Sequence, residues 1–150
     1  MASIQKGFTL VEMMIVVAIV AILAAVAIPL FVNYTSIAEG AEAYVLADGV
    51  KSTIVSRYNN MGKWPSSNTA AGLASSSSIS GRYVKSVTIT SNSNGSLVTV
   101  LFKSQGVAKP LQNKKMYLSA EGTSGSVKWA CQVESTDMYQ YVPTTCRSKH

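Results

Sequence analysis

From Met13 to Ala38 the chain carries no charged side chain. Met13–Val32 alone is twenty uncharged residues, and as a helix rising about 1.5 Å per residue it would be about 30 Å long, enough to cross the hydrocarbon core of a bilayer. Such a segment cannot be the surface of a small soluble domain. It must be covered by lipid or by other protein.

Past this run the apolar positions become periodic. Ile37, Ala41, Tyr44, Ala47, Val50 and Ile54 recur at spacings of three and four, the signature of one helix face. Glu39, Glu42, Asp48, Lys51 and Arg57 fall mostly elsewhere. A helix from Phe8 to Tyr58 would be roughly 75 Å long. Nothing the size of a 150-residue chain hides that, so the pattern by itself points to a membrane, a polymer or both. Pro29 falls inside the apolar run. A proline there removes one hydrogen bond and clashes with the carbonyl of Ala25, so a kink or frayed turn is expected around 25–29.

The rest of the chain has a different composition, rich in Ser, Thr, Asn and Gly. Asn59–Gly81 reads as a long surface loop with Trp64-Pro65 as its anchor and serines from Ser75 to Ser78. Strand patterns follow at Tyr83–Thr90, Leu97–Lys103, Met116–Ala120 and Val127–Cys131. Turns are expected at Ser91–Ser96, with Asn94-Gly95 as the tight point, and at Glu121–Gly125. The fold class is therefore α+β: a long N-terminal helix laid on a roughly four-stranded antiparallel sheet. The organisation reads as residues 1–7, an apolar helix half 8–34, an amphipathic half 35–58 and a C-terminal domain 59–150.

Thirteen Lys and Arg against seven Asp and Glu leave a net charge of +6. The basic residues are scattered apart from Lys114-Lys115, which suits solubility and is compatible with an acidic partner such as DNA. No Ser/His/Asp set, Gly-rich phosphate loop or metal-ligand spacing is present, so neither catalysis nor a cofactor is expected. If the C-terminal part is exported, Cys131 and Cys146 pair as a disulfide. It would close a loop of about 16 residues and contribute roughly 3 kcal/mol. In the cytosol they would be buried thiols.

The N-terminus admits three readings. Lys6 followed by an apolar run and Ala25-Val26-Ala27 has the elements of a cleaved secretory signal, but the run exceeds the usual 7–15 residues and continues past that cut. A plain single-pass anchor with Lys6 on the cytoplasmic side is the second. The third starts from Gly7-Phe8-Thr9-Leu10-Val11-Glu12. A short basic leader ending in Gly, then Phe-Thr-Leu-x-Glu, then a long apolar helix with a proline at Pro29, closely resembles the type IV prepilin signature. One departure is Ala21, where many members of that family have glycine. Ala is the better helix former by about 1 kcal/mol, which works against loosening of the helix ahead of Pro29.

The resemblance implies that a prepilin peptidase cuts after Gly7 and methylates the new amine of Phe8. It also implies that Glu12, a carboxylate costly to bury in lipid, pairs with that amine on a neighbouring subunit during assembly. The implied product is the subunit of a type IV pilus, a precursor in the bacterial inner membrane and then a helical homopolymer outside the cell. Such filaments serve adhesion to host or abiotic surfaces, twitching motility, biofilm formation and DNA uptake, and depend on an inner-membrane assembly platform. In that family the loop bounded by the C-terminal cysteines is exposed and helps set adhesion. The same signature is shared by pseudopilins of type II secretion and by minor pilins that bind DNA. The C-terminal cysteine pair and the lack of an acidic calcium loop favour a true pilin.

Overall fold

The computed structural model describes residues 7–91, 95–123 and 126–150. The chain divides into two compact units, 1–35 and 36–150. Two helices account for most of the first sixty residues: α1 (Leu10–Gly49) and α2 (Lys51–Met61). Val50 between them stays near helical geometry, at φ −92° and ψ −11°, and its carbonyl still accepts the Ile54 N–H at 3.1 Å. α2 stops at Gly62, whose φ of 67° is a left-handed position that glycine takes without steric cost.

In the first unit, α1 is helical through Pro29. Its apolar run is long enough to cross a membrane by length and composition. Its large side chains, from Phe8 to Tyr34, are exposed.

In the second unit four strands form an antiparallel meander in the order β1 (Val84–Ser91), β2 (Gly95–Phe102), β3 (Lys115–Thr123) and β4 (Ser126–Val133). The expected α+β architecture, a long N-terminal helix on a four-stranded antiparallel sheet, is what the chain adopts. Alternation turns Ile89, Val98, Val100, Phe102, Met116, Leu118 and Val133 to one side, where they form the core with Ala43, Ala47, Val50 and Ile54 of the helices. Ser, Thr and Lys fill much of the opposite face.

Several expectations from the sequence are corrected. Strict alternation along the expected strand Tyr83–Thr90 would set Val84 on the face opposite Val87 and Ile89. All three are buried, because the register shifts between Val84 and Ser86 and one extra residue reverses the alternation. Glu121 and Gly122 were expected in a turn. They belong to β3 and pair with Lys128 and Val127; residues 124–125, like Asn92–Asn94, lie outside the described residues. Cys131 was expected to end the last strand, but β4 continues to Val133.

The largest correction concerns the helix face. Ile37 and Ala41 were expected to pack on the sheet, yet both are exposed. The buried positions there are Ser36, Glu39, Gly40 and Ala43. What packs on this part of the helix is polypeptide backbone, and it selects a glycine and a hydrogen-bond acceptor over bulk. The Glu39 carboxylate, 7% exposed, accepts the Ala108 N–H at 2.7 Å. One turn on, Glu42 accepts the N–H groups of Tyr83 and Val84 at 2.9 and 3.2 Å.

The stretch 59–81 is more ordered than its composition suggests. Trp64 stacks on Tyr58 with ring centroids 4.0 Å apart, and Pro65 is buried, so the expected anchor is present. A single helical turn, α3 (Asn68–Ala71), is capped by the Ser67 hydroxyl and closed by Gly72. Asn68 donates to the Val87 carbonyl and accepts from the Ile89 N–H, each at 2.9 Å, while Ser76 accepts the Val87 N–H. The loop thereby closes the outer edge of β1. At the other edge Ser148 and His150 hydrogen-bond Val133.

Candidate functional site

The sequence points to two sites, the start of α1 and the cysteine-bounded loop. At the first, Gly7 is exposed with nothing within 4 Å of where a side chain would begin. Phe8 is 82% exposed. An unencumbered glycine beside an exposed aromatic is what a protease needs to take extended backbone into its cleft. Lys6 and the rest of the leader lie outside the described residues.

Thr9 is the N-cap of α1 and Glu12 its third residue, and they cap each other. Glu12 Oε2 accepts the Thr9 N–H and the Thr9 hydroxyl, both at 2.8 Å. Thr9 Oγ1 in turn accepts the Glu12 N–H at 3.2 Å. This reciprocal pair satisfies backbone donors that a helix start leaves open, and it sets a negative group at the positive end of the helix dipole. The sequence reasoning singled out Glu12 but not Thr9. The signal was present, since Thr-x-x-Glu ahead of an apolar run is a capping-box pattern. Any amine that engages Glu12 must therefore compete with, or add to, contacts the carboxylate already makes.

At the second site Cys131 on β4 is joined to Cys146 by a disulfide. The loop between them is built from 3-10 turns at Thr136–Tyr141 and Thr144–Cys146. Its underside is fixed: Met138, Val142 and Cys146 are buried in the core. Its outer surface is polar, with Thr136, Asp137, Gln140, Thr144 and Thr145 exposed. Ser135 donates its hydroxyl to Asp137, and that bond holds the Asp137 carboxyl below its usual range, against a slight desolvation and with the turn backbone and Lys114 assisting. Among the described residues no group of three His, Cys, Asp or Glu is placed to hold a metal ion.

Comparison with known proteins bears on both ends of the chain. The family profile described as "Pilin (bacterial filament)" matches residues 38–147. The profile for the prokaryotic N-terminal methylation motif matches residues 3–28. The chain is similar to the type IV major pilin protein PilE of Neisseria gonorrhoeae, at 53% identity over 131 residues, covering 87% of this chain and 76% of the relative. It is also similar to a fimbrial protein of Neisseria meningitidis serogroup B, at 50% identity, with 87% and 75% covered. Fimbrial protein EcpC of Eikenella corrodens is 40% identical, with 97% and 93% covered.

Proposed function

The chain belongs to the pilin family of bacterial filament proteins, and we propose that it is the structural subunit from which a type IV pilus is built. The observation that carries this reading is the exposed apolar helix. In the lone chain large side chains from Phe8 to Phe31 face outward, and at roughly 25 cal/mol per Å2 so much apolar surface is a strong drive toward lipid first and other subunits afterwards.

The sequence of events follows from the chemistry. The precursor sits in the inner membrane by its apolar segment. Prepilin peptidase cleaves after Gly7 and methylates the amine of Phe8. That amine is absent from the precursor, so cleavage creates the positive partner for Glu12 on a neighbouring subunit. An unpaired charge in an apolar filament core costs several kcal/mol, and the pair sets the register of one subunit on the next. Pro29, which cannot bond back to Ala25, is where the helix can bend or lengthen as subunits pack. The disulfide-bounded loop presents its polar surface for contact with host or abiotic surfaces.

Mass spectrometry of sheared surface filaments tests the reading. The expected N-terminus is N-methylated Phe8. A start at Ile28 would mean an ordinary secretory signal and would end it. For the pairing, Glu12→Ala as sole subunit is expected to be cleaved normally yet yield few filaments. Wild-type filament yield from that variant would rule the pairing out.

A further inference from the structure

A cleft opens where the core runs out at the β4 edge of the sheet. Trp129, Cys131 and Val133 share one face of β4. Cys131 and Val133 are buried in the core, whereas Trp129 is only half-buried. Tyr44 on α1 is half-buried beside the same cleft. Lys51, at the start of α2, reaches over both rings, and its Nζ lies 5.3 Å from the centroid of each. Thr145 and Ser148 bring the end of the cysteine-bounded loop to the lining, and the enclosed space is about 280 Å3. That end is fixed. Cys146 is tied to Cys131, the Ser148 hydroxyl donates to the Cys131 carbonyl at 3.0 Å, and the Ser148 carbonyl accepts the Val133 N–H at 2.8 Å. No carboxylate lines the cleft. Asp48 holds the Lys51 ammonium from outside it, at 2.6 Å.

We propose that this cleft binds one neutral pyranose ring of a saccharide, with Trp129 and Tyr44 supplying the aromatic faces and Lys51 the hydrogen-bond donor. The inference does not rest on the filament reading, which assigns no ligand to this side of the domain. Size, shape and charge select the ligand. The space lies at the small end of ligand cavities, which suits a single ring. Aromatic faces are electronegative, and both already receive the Lys51 ammonium. The weakly positive C–H side of a sugar ring meets such faces in the same way. An ammonium has three donors and no acceptor, and Asp48 takes one of them. The others call for oxygen acceptors, which a sugar's hydroxyls are and a purely apolar ligand lacks. The Thr145 and Ser148 hydroxyls can each accept as well as donate. Net charge argues for neutrality. A cation would be repelled by Lys51, and an anion would have to displace Asp48 from it, while a polyol does neither.

The test uses the full-length chain in micelles of a detergent without a sugar headgroup. Trp64→Phe keeps a ring to stack on Tyr58 and leaves Trp129 as the one tryptophan, so its fluorescence reports on the cleft. Methyl β-galactopyranoside, methyl β-glucopyranoside and N-acetylglucosamine are the probes. At least one is expected to give a saturable change with half-saturation in the millimolar range, and sorbitol, an open-chain polyol with no ring face, is expected to give none. Lys51→Met keeps the stem and removes the donors, and should weaken that binding about ten-fold or more. Tyr44→Leu should weaken it about three-fold or more. Lys51→Arg keeps a donor and a cation over the rings and should restore most of it. Thermal midpoints and the intact disulfide show that each variant is folded. No saturable response to any of the three sugars from folded protein would leave Trp129 and Tyr44 as cover for the sheet edge and overturn the inference. A response that Lys51→Met and Tyr44→Leu leave unchanged would place the sugar elsewhere and overturn it too. Tighter binding of N-acetylneuraminic acid than of every neutral sugar would overturn the neutral ring. None of these outcomes bears on whether the chain forms filaments, which is read separately.

Discussion

The carbonyl of Tyr141 lies so close to Gly40 that a Cβ at position 40 would overlap its oxygen and stand 3.3 Å from the Cα of Val142. The cysteine-bounded loop is thus seated on the helix by backbone against backbone, through the one residue type that permits it. Gly40→Ala gains about 1 kcal/mol of helix propensity but forces main chain apart, and overpacking of this kind costs about 1–3 kcal/mol or more. The net effect is expected to be destabilising. Gly49→Ala, with nothing within 4 Å of its Cβ, should stabilise by about 1 kcal/mol. Thermal unfolding of the two variants, in the same detergent, should move in opposite directions. Equal shifts of one sign would show that the clash is relieved at no cost.

The disulfide holds that seat in place. Cys131 and Cys146 are 15 residues apart, and the chain-entropy model gives about 3 kcal/mol for such a loop. The Cys131→Ser, Cys146→Ser double variant should lose about that much, read as a lower denaturant midpoint. It should also weaken the penalty of Gly40→Ala, because a released loop can retreat from the helix. The two changes are coupled through the backbone of the one loop, which touches the helix at Tyr141, and should therefore not add. Strict additivity would mean that the loop keeps its position without the bond.

These two residues also show what could and could not be read beforehand. The apolar run and the four strands were legible because periods of 3.6 and 2 are local properties. The Phe8–Glu12 signature was legible because its spacing is specific. Glycine is a poor helix former, and only the Tyr141 backbone, a hundred residues on, gives Gly40 a purpose. Glu39 looked solvent-facing, and only the Ala108 N–H explains why it is buried. Ile37 and Ala41 matched the packing face in sequence and lie outside it in space, since side-chain type does not reveal where a backbone will come to rest. The one missed signal that was local is Thr9, whose capping box stands in the sequence.

Glu42 closes the start of β1 by accepting from two successive N–H groups. Glu42→Ala leaves both without their acceptor, one of them on Val84, which is fully buried. A loss of about 1–3 kcal/mol is expected. Glu42→Gln keeps a carbonyl oxygen at the same place and should recover most of it. Hydrogen exchange at Tyr83 and Val84 should speed up in the alanine variant and remain slow in the glutamine one. Equal protection in all three proteins would show that other groups take over.

Asp137 offers a titration to follow. Its carboxyl is held below the ordinary carboxylate range chiefly by the Ser135 hydroxyl. A depressed folded-state pKa means that the interaction contributes above the ordinary unfolded value and is lost as pH falls through the lower folded value. Ser135→Ala removes the donor, so the Asp137 midpoint in an NMR titration should rise toward the ordinary range. An unmoved midpoint would assign the shift to Lys114 or the turn backbone instead.

Thr9 tests whether the start of α1 is preorganised before assembly. Its hydroxyl accepts the Glu12 N–H, and the Glu12 carboxylate returns the contact to the Thr9 N–H. Thr9→Ala removes an N-cap worth about 1 kcal/mol, which corresponds to a roughly five-fold change in the opening equilibrium of the first turn. Thr9→Ser keeps a hydroxyl at the same place and should preserve it. In detergent micelles the amides of Thr9 and Glu12 should therefore exchange about five-fold faster in the alanine variant and at the parent rate in the serine one. If the alanine variant is unchanged, Glu12 holds the first turn by itself, and its carboxylate is engaged by the helix end even without Thr9.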